Sequence, residues 1–126
     1  MPEKPASGAR AQPRDERKFR MPKDELEELI EEAVIDAYGE EEQVTGFHTM
    51  LDEHLGVPFD SAVLGVDVVV EKVDLTDDSE DIVVVCRRGR ERQRLPILDL
   101  PLPDPPPEGW QWIEAYRYWT RSWRGG

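Results

Sequence analysis

Among the 28 acidic residues of this 126-residue chain, two short strings pack carboxylates densely enough to attract a metal ion. The first, DAYGEEEQ, holds Asp36, Glu40, Glu41 and Glu42; the second, DLTDDSED, holds Asp74, Asp77, Asp78, Glu80 and Asp81. Carboxylates held close together raise one another's cost of charging, and a divalent cation removes that cost. Calcium suits such groups because it takes roughly six to eight oxygen ligands in flexible geometry. The second string fails as an EF-hand loop. Counted from Asp74, its sixth position is Ser79 where that loop needs glycine, and its twelfth is Val85 where it needs glutamate. The first string forms a corner between two helical patterns. If the first helix persists past Gly39, Asp36 and Glu40 share one face, with Glu41 and Glu42 fanning out beside them.

The remaining reactive side chains offer less. His48 and His54 lie six residues apart on a helical pattern and so point to different faces, where a two-histidine metal site wants a spacing of three or four. Cys86, the single cysteine, falls inside an apolar β-branched run and reads as a small buried hydrophobe. A nucleophilic role would need a cationic, partly open setting. No Gly-rich phosphate loop and no nucleophile elbow occurs. The expectation is a protein that is not an enzyme.

The elements that must position these residues follow from the periodicity. Leu26, Leu29, Ile30, Ala33, Val34 and Ala37 recur at helical spacing from Asp24, with acids on the opposite face and Gly39 as the stop. A second helix spans EEEQVTGFHTMLDEHLG, with Val44, Phe47, Met50, Leu51 and Leu55 on one side. Gly46 weakens that helix without breaking it. After Pro58 the period drops to two, through Ala62, Leu64, Val66, Val68 and Val70, interrupted near Gly65. DLTDDSED is a polar turn, IVVVCRR a central strand, and RRGRERQRL a tight hairpin about Gly89 that leaves Arg92 and Arg94 facing outward. Pro96 places the last strand at an edge. The proline-rich LPLPDPPPEG reads as an extended connector over the sheet, and WQWIEAYRYW as a helix whose Trp112, Ala115, Tyr116 and Trp119 share a face that docks onto a barrel.

These elements predict an α+β fold: an N-terminal helical hairpin, then a small antiparallel SH3-like β-barrel, then a C-terminal aromatic helix. Length fits one domain. Residues 1–20 have few apolar side chains and read as a disordered basic tail, leaving residues 21–124 as a single acidic domain. Charge divides sharply along the chain. Residues 1–23 carry seven bases and three acids; residues 24–81 carry twenty acids and one base, Lys72; residues 82–126 carry eight bases and five acids. The net charge of −12 argues against nucleic acid as a partner, since phosphate binding needs a surplus of cations. A lone cysteine permits no internal disulfide, no apolar run reaches the roughly 20 residues of a membrane span, and no signal-peptide pattern opens the chain. These features predict a cytoplasmic protein with no membrane partner.

The string VIDAYGEEEQVTGFHTMLDEHLGVPF, followed by a strand-rich region containing LPILDL and ending in WIEAYRYW, resembles the calcium-binding family typified by CcbP of cyanobacteria. The similarity covers about residues 26–119 and leaves the basic tail unmatched. It implies calcium binding through surface carboxylates without an EF-hand, in a calcium buffer or sensor. It also implies a metal-ligating set of Asp36, Glu40, Glu41 and Glu42, with Asp99 in LPILDL and Glu114 in WIEAYRYW. The alternative from charge alone is an acidic interaction module that binds a basic protein partner without metal.

Overall fold

The structure is a computed structural model and describes residues 20–124. Apart from Arg20, the expected basic tail lies outside the described residues. Helix α1, Lys23–Val34, begins after Pro22, and its first turn carries Asp24 and Glu25, whose charges complement the helix dipole. Leu26, Ile30 and Ala33 form its buried stripe. Helix α2, Glu40–His54, opens on three glutamates and buries Val44, Phe47 and Leu51. The first helix does not run to Gly39 as expected. It stops at Val34, Ile35 is extended at ψ 132°, and Asp36 adopts φ 65°. Aspartate is among the few non-glycine residues that tolerate the left-handed region, so the chain turns there. Gly39 is the N-cap of α2 rather than the end of α1.

Four strands follow: β1 Phe59–Val63, β2 Val66–Leu75, β3 Ile82–Arg88 and β4 Glu91–Pro96. They form an antiparallel meander in the order β1-β2-β3-β4. The expected SH3-like barrel is not formed, because β1 and β4 remain open edges. The face that a barrel would turn inward is covered by helices instead. Val70 and Val73 of β2 and Ile82, Val84 and Cys86 of β3 join the helical side chains in one core. The β1–β2 hairpin turns at Leu64 and Gly65, at φ 52° and 79°, the paired positive values that a tight two-residue hairpin requires. The turn at Gly89 and the central, buried position of β3 match the sequence expectation.

Residues 100–107 run without regular structure. Leu100 and Leu102 are buried, and the buried Ser61 hydroxyl of β1 donates to the carbonyl of Pro101 at 2.7 Å, fixing the connector to the sheet edge. Helix α3, Trp110–Trp119, continues into a π-helical turn, Thr120–Arg124. The expected face of Trp112, Ala115, Tyr116 and Trp119 is buried, but it docks chiefly on α1 and α2 rather than on a barrel. Phe47 of α2 is the anchor, with ring centroids 5.4 Å from Tyr116 and 5.3 Å from Trp119. The Trp119 indole N–H donates to Gln43 Oε1 at 3.2 Å, so this large ring enters the core with its polar atom paired. Among the described residues no helix is long and apolar enough to cross a membrane.

Candidate functional site

The α1–α2 corner is built by the break at Asp36. The Ala37 amide donates to the Val34 carbonyl at 2.9 Å and closes the end of α1. Gly39 has no side chain with which to cap α2, so Glu42 reaches back and accepts the Tyr38 amide at 2.8 Å. This is a capping-box contact moved one residue toward the N-terminus. The result is an open groove of about 420 Å³ lined by Asp36, Glu41, Glu42 and Thr45, with Ile35 and Tyr38 at its rim. Both rim residues are unusually exposed for their type, Ile35 at 70% and Tyr38 at 91%.

Of the residues expected from the sequence, Asp36, Glu41 and Glu42 thus meet at one groove. Glu40 stands in the same helical turn as Glu41 and Glu42 but is not in the lining. The shared helical face expected of Asp36 and Glu40 does not exist, since five residues of non-helical chain separate α1 from α2. Asp99 and Glu114 lie elsewhere. Asp99 is exposed at the end of a 3₁₀ turn, Ile97–Asp99. Glu114 is only 6% exposed, on the inward side of α3, and its carboxylate lies 3.6 Å from the Arg117 guanidinium. Arg117 in turn donates to the Leu98 carbonyl at 3.2 Å, tying α3 to the 3₁₀ turn.

The second acidic string folds into a turn that uses its own polar groups. Asp78 accepts from the Thr76 hydroxyl at 2.6 Å and from the Glu80 amide at 3.0 Å. The Thr76 hydroxyl accepts the Asp81 amide at 3.1 Å, and the Thr76 amide donates to the Asp81 carbonyl at 3.0 Å. These bonds hold the β2–β3 connection and direct one carboxylate at the backbone.

Sequence reasoning missed one charged cluster. The β2–β3 register shifts between Val70 and Lys72, which makes Glu71 a bulge residue. Its two oxygens accept from Arg87 Nε and Arg92 Nε, each at 2.8 Å. Arg87 and Arg92 are directly paired across β3 and β4, a like-charge juxtaposition that the bridging carboxylate neutralises. The Arg92 and then the Arg87 hydrogen bonds hold the Glu71 carboxyl below its ordinary range. Arg94 extends the pattern, 3.4 Å from Asp74. Alternating arginines in RERQR are the visible signal, whereas the bulge that delivers Glu71 to them has none.

Hard carboxylate oxygens at the corner are the donor type that calcium prefers. Among the described residues, however, no group of three or more His, Cys, Asp or Glu side chains is gathered closely enough to hold a metal ion as a finished cage. The corner therefore presents its carboxylates on an open surface and not in a closed metal cage.

The family model Calci_bind_CcbP, described as calcium binding, matches residues 27–120. The chain is also similar to the crystal structure of CcbP from Anabaena, at 23% identity and a TM-score of 0.67, over 80% of this chain and 93% of that one. A second solved structure, described as a calcium binding protein in the calcium-binding form, is 23% identical with a TM-score of 0.63 and covers 89% of this chain and 94% of that one. At these identities the two likenesses bear on the fold. No curated protein matches the chain.

Proposed function

The chain belongs to the CcbP family of calcium-binding proteins, and from that premise we propose that it holds calcium at the α1–α2 corner and acts as a calcium buffer. Calcium binding comes with the family; the place and the role are the proposal. The observation that carries it is the convergence of Asp36, Glu41 and Glu42 on one open groove beside Glu40. Those carboxylates supply several of the roughly six to eight oxygens that calcium takes, and water supplies the rest. The long-range field favours the same place, because residues 24–81 hold twenty acids against one base and concentrate cations around them.

An open site with few fixed ligands binds weakly and exchanges quickly, which suits buffering. Affinity in oxygen-ligand sites rises with ligand charge and rigidity, and here Glu42 is partly committed to capping Tyr38. Glu114 stands apart from this proposal, because exposing it to solvent calcium would separate it from Arg117 inside the helical layer. Asp99 stands apart because it is not in the groove.

Calorimetric titration of chelator-treated protein with calcium and with magnesium tests the reading, alongside a D36N/E40Q/E41Q/E42Q variant. Loss of the calcium heat in the variant supports the corner, and an unchanged heat rejects it. Near-ultraviolet circular dichroism separates the roles. A buffer leaves the aromatic signal of the Phe47–Tyr116–Trp119 cluster unchanged on calcium addition, and a sensor changes it.

A further inference from the structure

The inner face of the sheet is not covered along its whole length. Near Val70, Val73 and Val84 it is sealed by helices, but toward the two hairpins the cover gives out. Val63, Val66 and Val68 are half-buried there, and Gln93, paired with Cys86 on the same face, is exposed. The result is a groove of about 700 Å³, floored by Val63, Val66, Val68, Cys86 and Leu95 and edged by Leu64 and by the cross-strand pair Arg88 and Glu91. It lies in the most basic part of the described chain, where residues 87–94 contain five arginines and one acid. Arg87, Arg92 and Arg94 are engaged with Glu71 and Asp74 on the opposite face of the sheet. Arg88 and Arg90 are exposed and have no ionic or hydrogen-bonding partner among the described residues. In a chain with 28 acids, a guanidinium group at the edge of an apolar floor and a second in the adjoining turn, neither ion-paired among the described residues, mark a surface suited to an acidic, apolar-tipped occupant.

The chain itself carries a surface of that kind. At the α1–α2 corner Ile35 and Tyr38 project into solvent, flanked by Asp36, Glu40, Glu41 and Glu42. We propose that the Arg88-edged groove receives the α1–α2 corner of a second copy of the chain. Tyr38 and Ile35 meet the valine floor, and the corner carboxylates face Arg88 and Arg90. The two surfaces differ, so the contact is head-to-tail and can propagate from copy to copy. It involves one groove and one corner and so falls at the small, weak end of protein interfaces. The proposal does not depend on where calcium binds, and the test is run in chelator.

Sedimentation equilibrium of the full chain at low salt, over roughly 10 µM to 1 mM, reads the association directly. Its weight-average mass is expected to climb above 14.5 kDa as concentration rises, and to fall back in about 0.5 M salt as charges are screened. R88E/R90E alters only exposed hairpin residues and should remain monomeric, as should I35S/Y38S. Mixed in equal amounts, the two variants should form a dimer that grows no further, since only one intact groove and one intact corner remain per pair. A parent chain that stays at monomer mass throughout overturns the proposal. So does an R88E/R90E variant that associates like the parent, or a mixture that stays monomeric while circular dichroism shows both variants folded.

Discussion

Gly46 of α2 rides directly against the backbone carbonyl of Ala33 at the end of α1, with no room for a side chain between them. The close approach brings the two helices together just before the corner, and the α1 backbone turns away two residues later at Ile35. A glycine mid-helix costs about 1 kcal/mol relative to alanine, so propensity alone favours replacing it. Packing reverses that sign, because a Cβ at position 46 meets backbone that cannot rotate aside. Gly46→Ala is therefore expected to destabilise by about 1–3 kcal/mol, lowering the melting temperature by roughly 5–15 °C. Thermal unfolding of the variant checks this. A rise would mean that the helices are not in contact at this point.

Phe47 is the residue on which the helical layer closes. It is fully buried and meets both Tyr116 and Trp119 of α3. Phe47→Ala should cost about 3–5 kcal/mol by leaving a cavity under two aromatic rings. Phe47→Leu, which keeps most of the volume, should cost much less. Denaturant titrations of both variants, with Trp119 among the reporting fluorophores, measure the difference. Equal losses would place the effect outside the α2–α3 contact.

Glu71 links two arginines, and its pKa is lowered chiefly by the hydrogen bond from Arg92 and then by that from Arg87. A carboxyl whose folded pKa lies below its unfolded value stabilises the fold above the ordinary value of 4.5 and loses that contribution as pH falls through the lowered value. The parent chain should thus lose stability over this acid range more steeply than Glu71→Gln, and about 1 M salt should narrow the gap. Melting curves from pH 7 to about pH 3 test it. Parallel curves for parent and variant would show that the bridge contributes nothing to folding.

Much of this architecture is legible because it is written in local patterns. Val44, Phe47 and Leu51 reveal the buried stripe of α2, IVVVCRR reveals a central strand, and Gly89 reveals a hairpin. Periodicity identifies which face is buried but not what buries it. That is why the pattern alone assigns the aromatic face of α3 to a barrel, whereas it lies on α1 and α2, and why an open sheet under helices reads as closed. The end of α1 is obscured for a similar reason. Ile35, Asp36 and Ala37 are compatible with helix, and the stop depends on Asp36 adopting a left-handed conformation within a tertiary corner. At the candidate site, the acid string is visible in the sequence and its groove is not. Glu114 could be recognised as paired, since Arg117 follows at the i+3 spacing that lets helical side chains meet.

Calcium-dependent stabilisation is the prediction that bears most directly on the corner. A ligand that binds only the folded chain adds stability by mass action, about 2.7 kcal/mol for one site at 100 times its dissociation constant. For a domain of this size that corresponds to a rise in melting temperature of roughly 5–15 °C. Replacing Asp36, Glu40, Glu41 and Glu42 with their amides should remove most of the rise. The apo fold should survive, because Glu42→Gln retains a side-chain oxygen able to accept the Tyr38 amide, and removing like charges from one turn relieves repulsion. The β2–β3 turn supplies the comparison. A D77N/E80Q variant keeps the Thr76–Asp78 bonds that hold that turn and should respond to calcium as the parent does. If the corner variant keeps its full calcium response while the turn variant loses it, the ion is held between β2 and β3 and the corner assignment is wrong, with calcium binding itself intact.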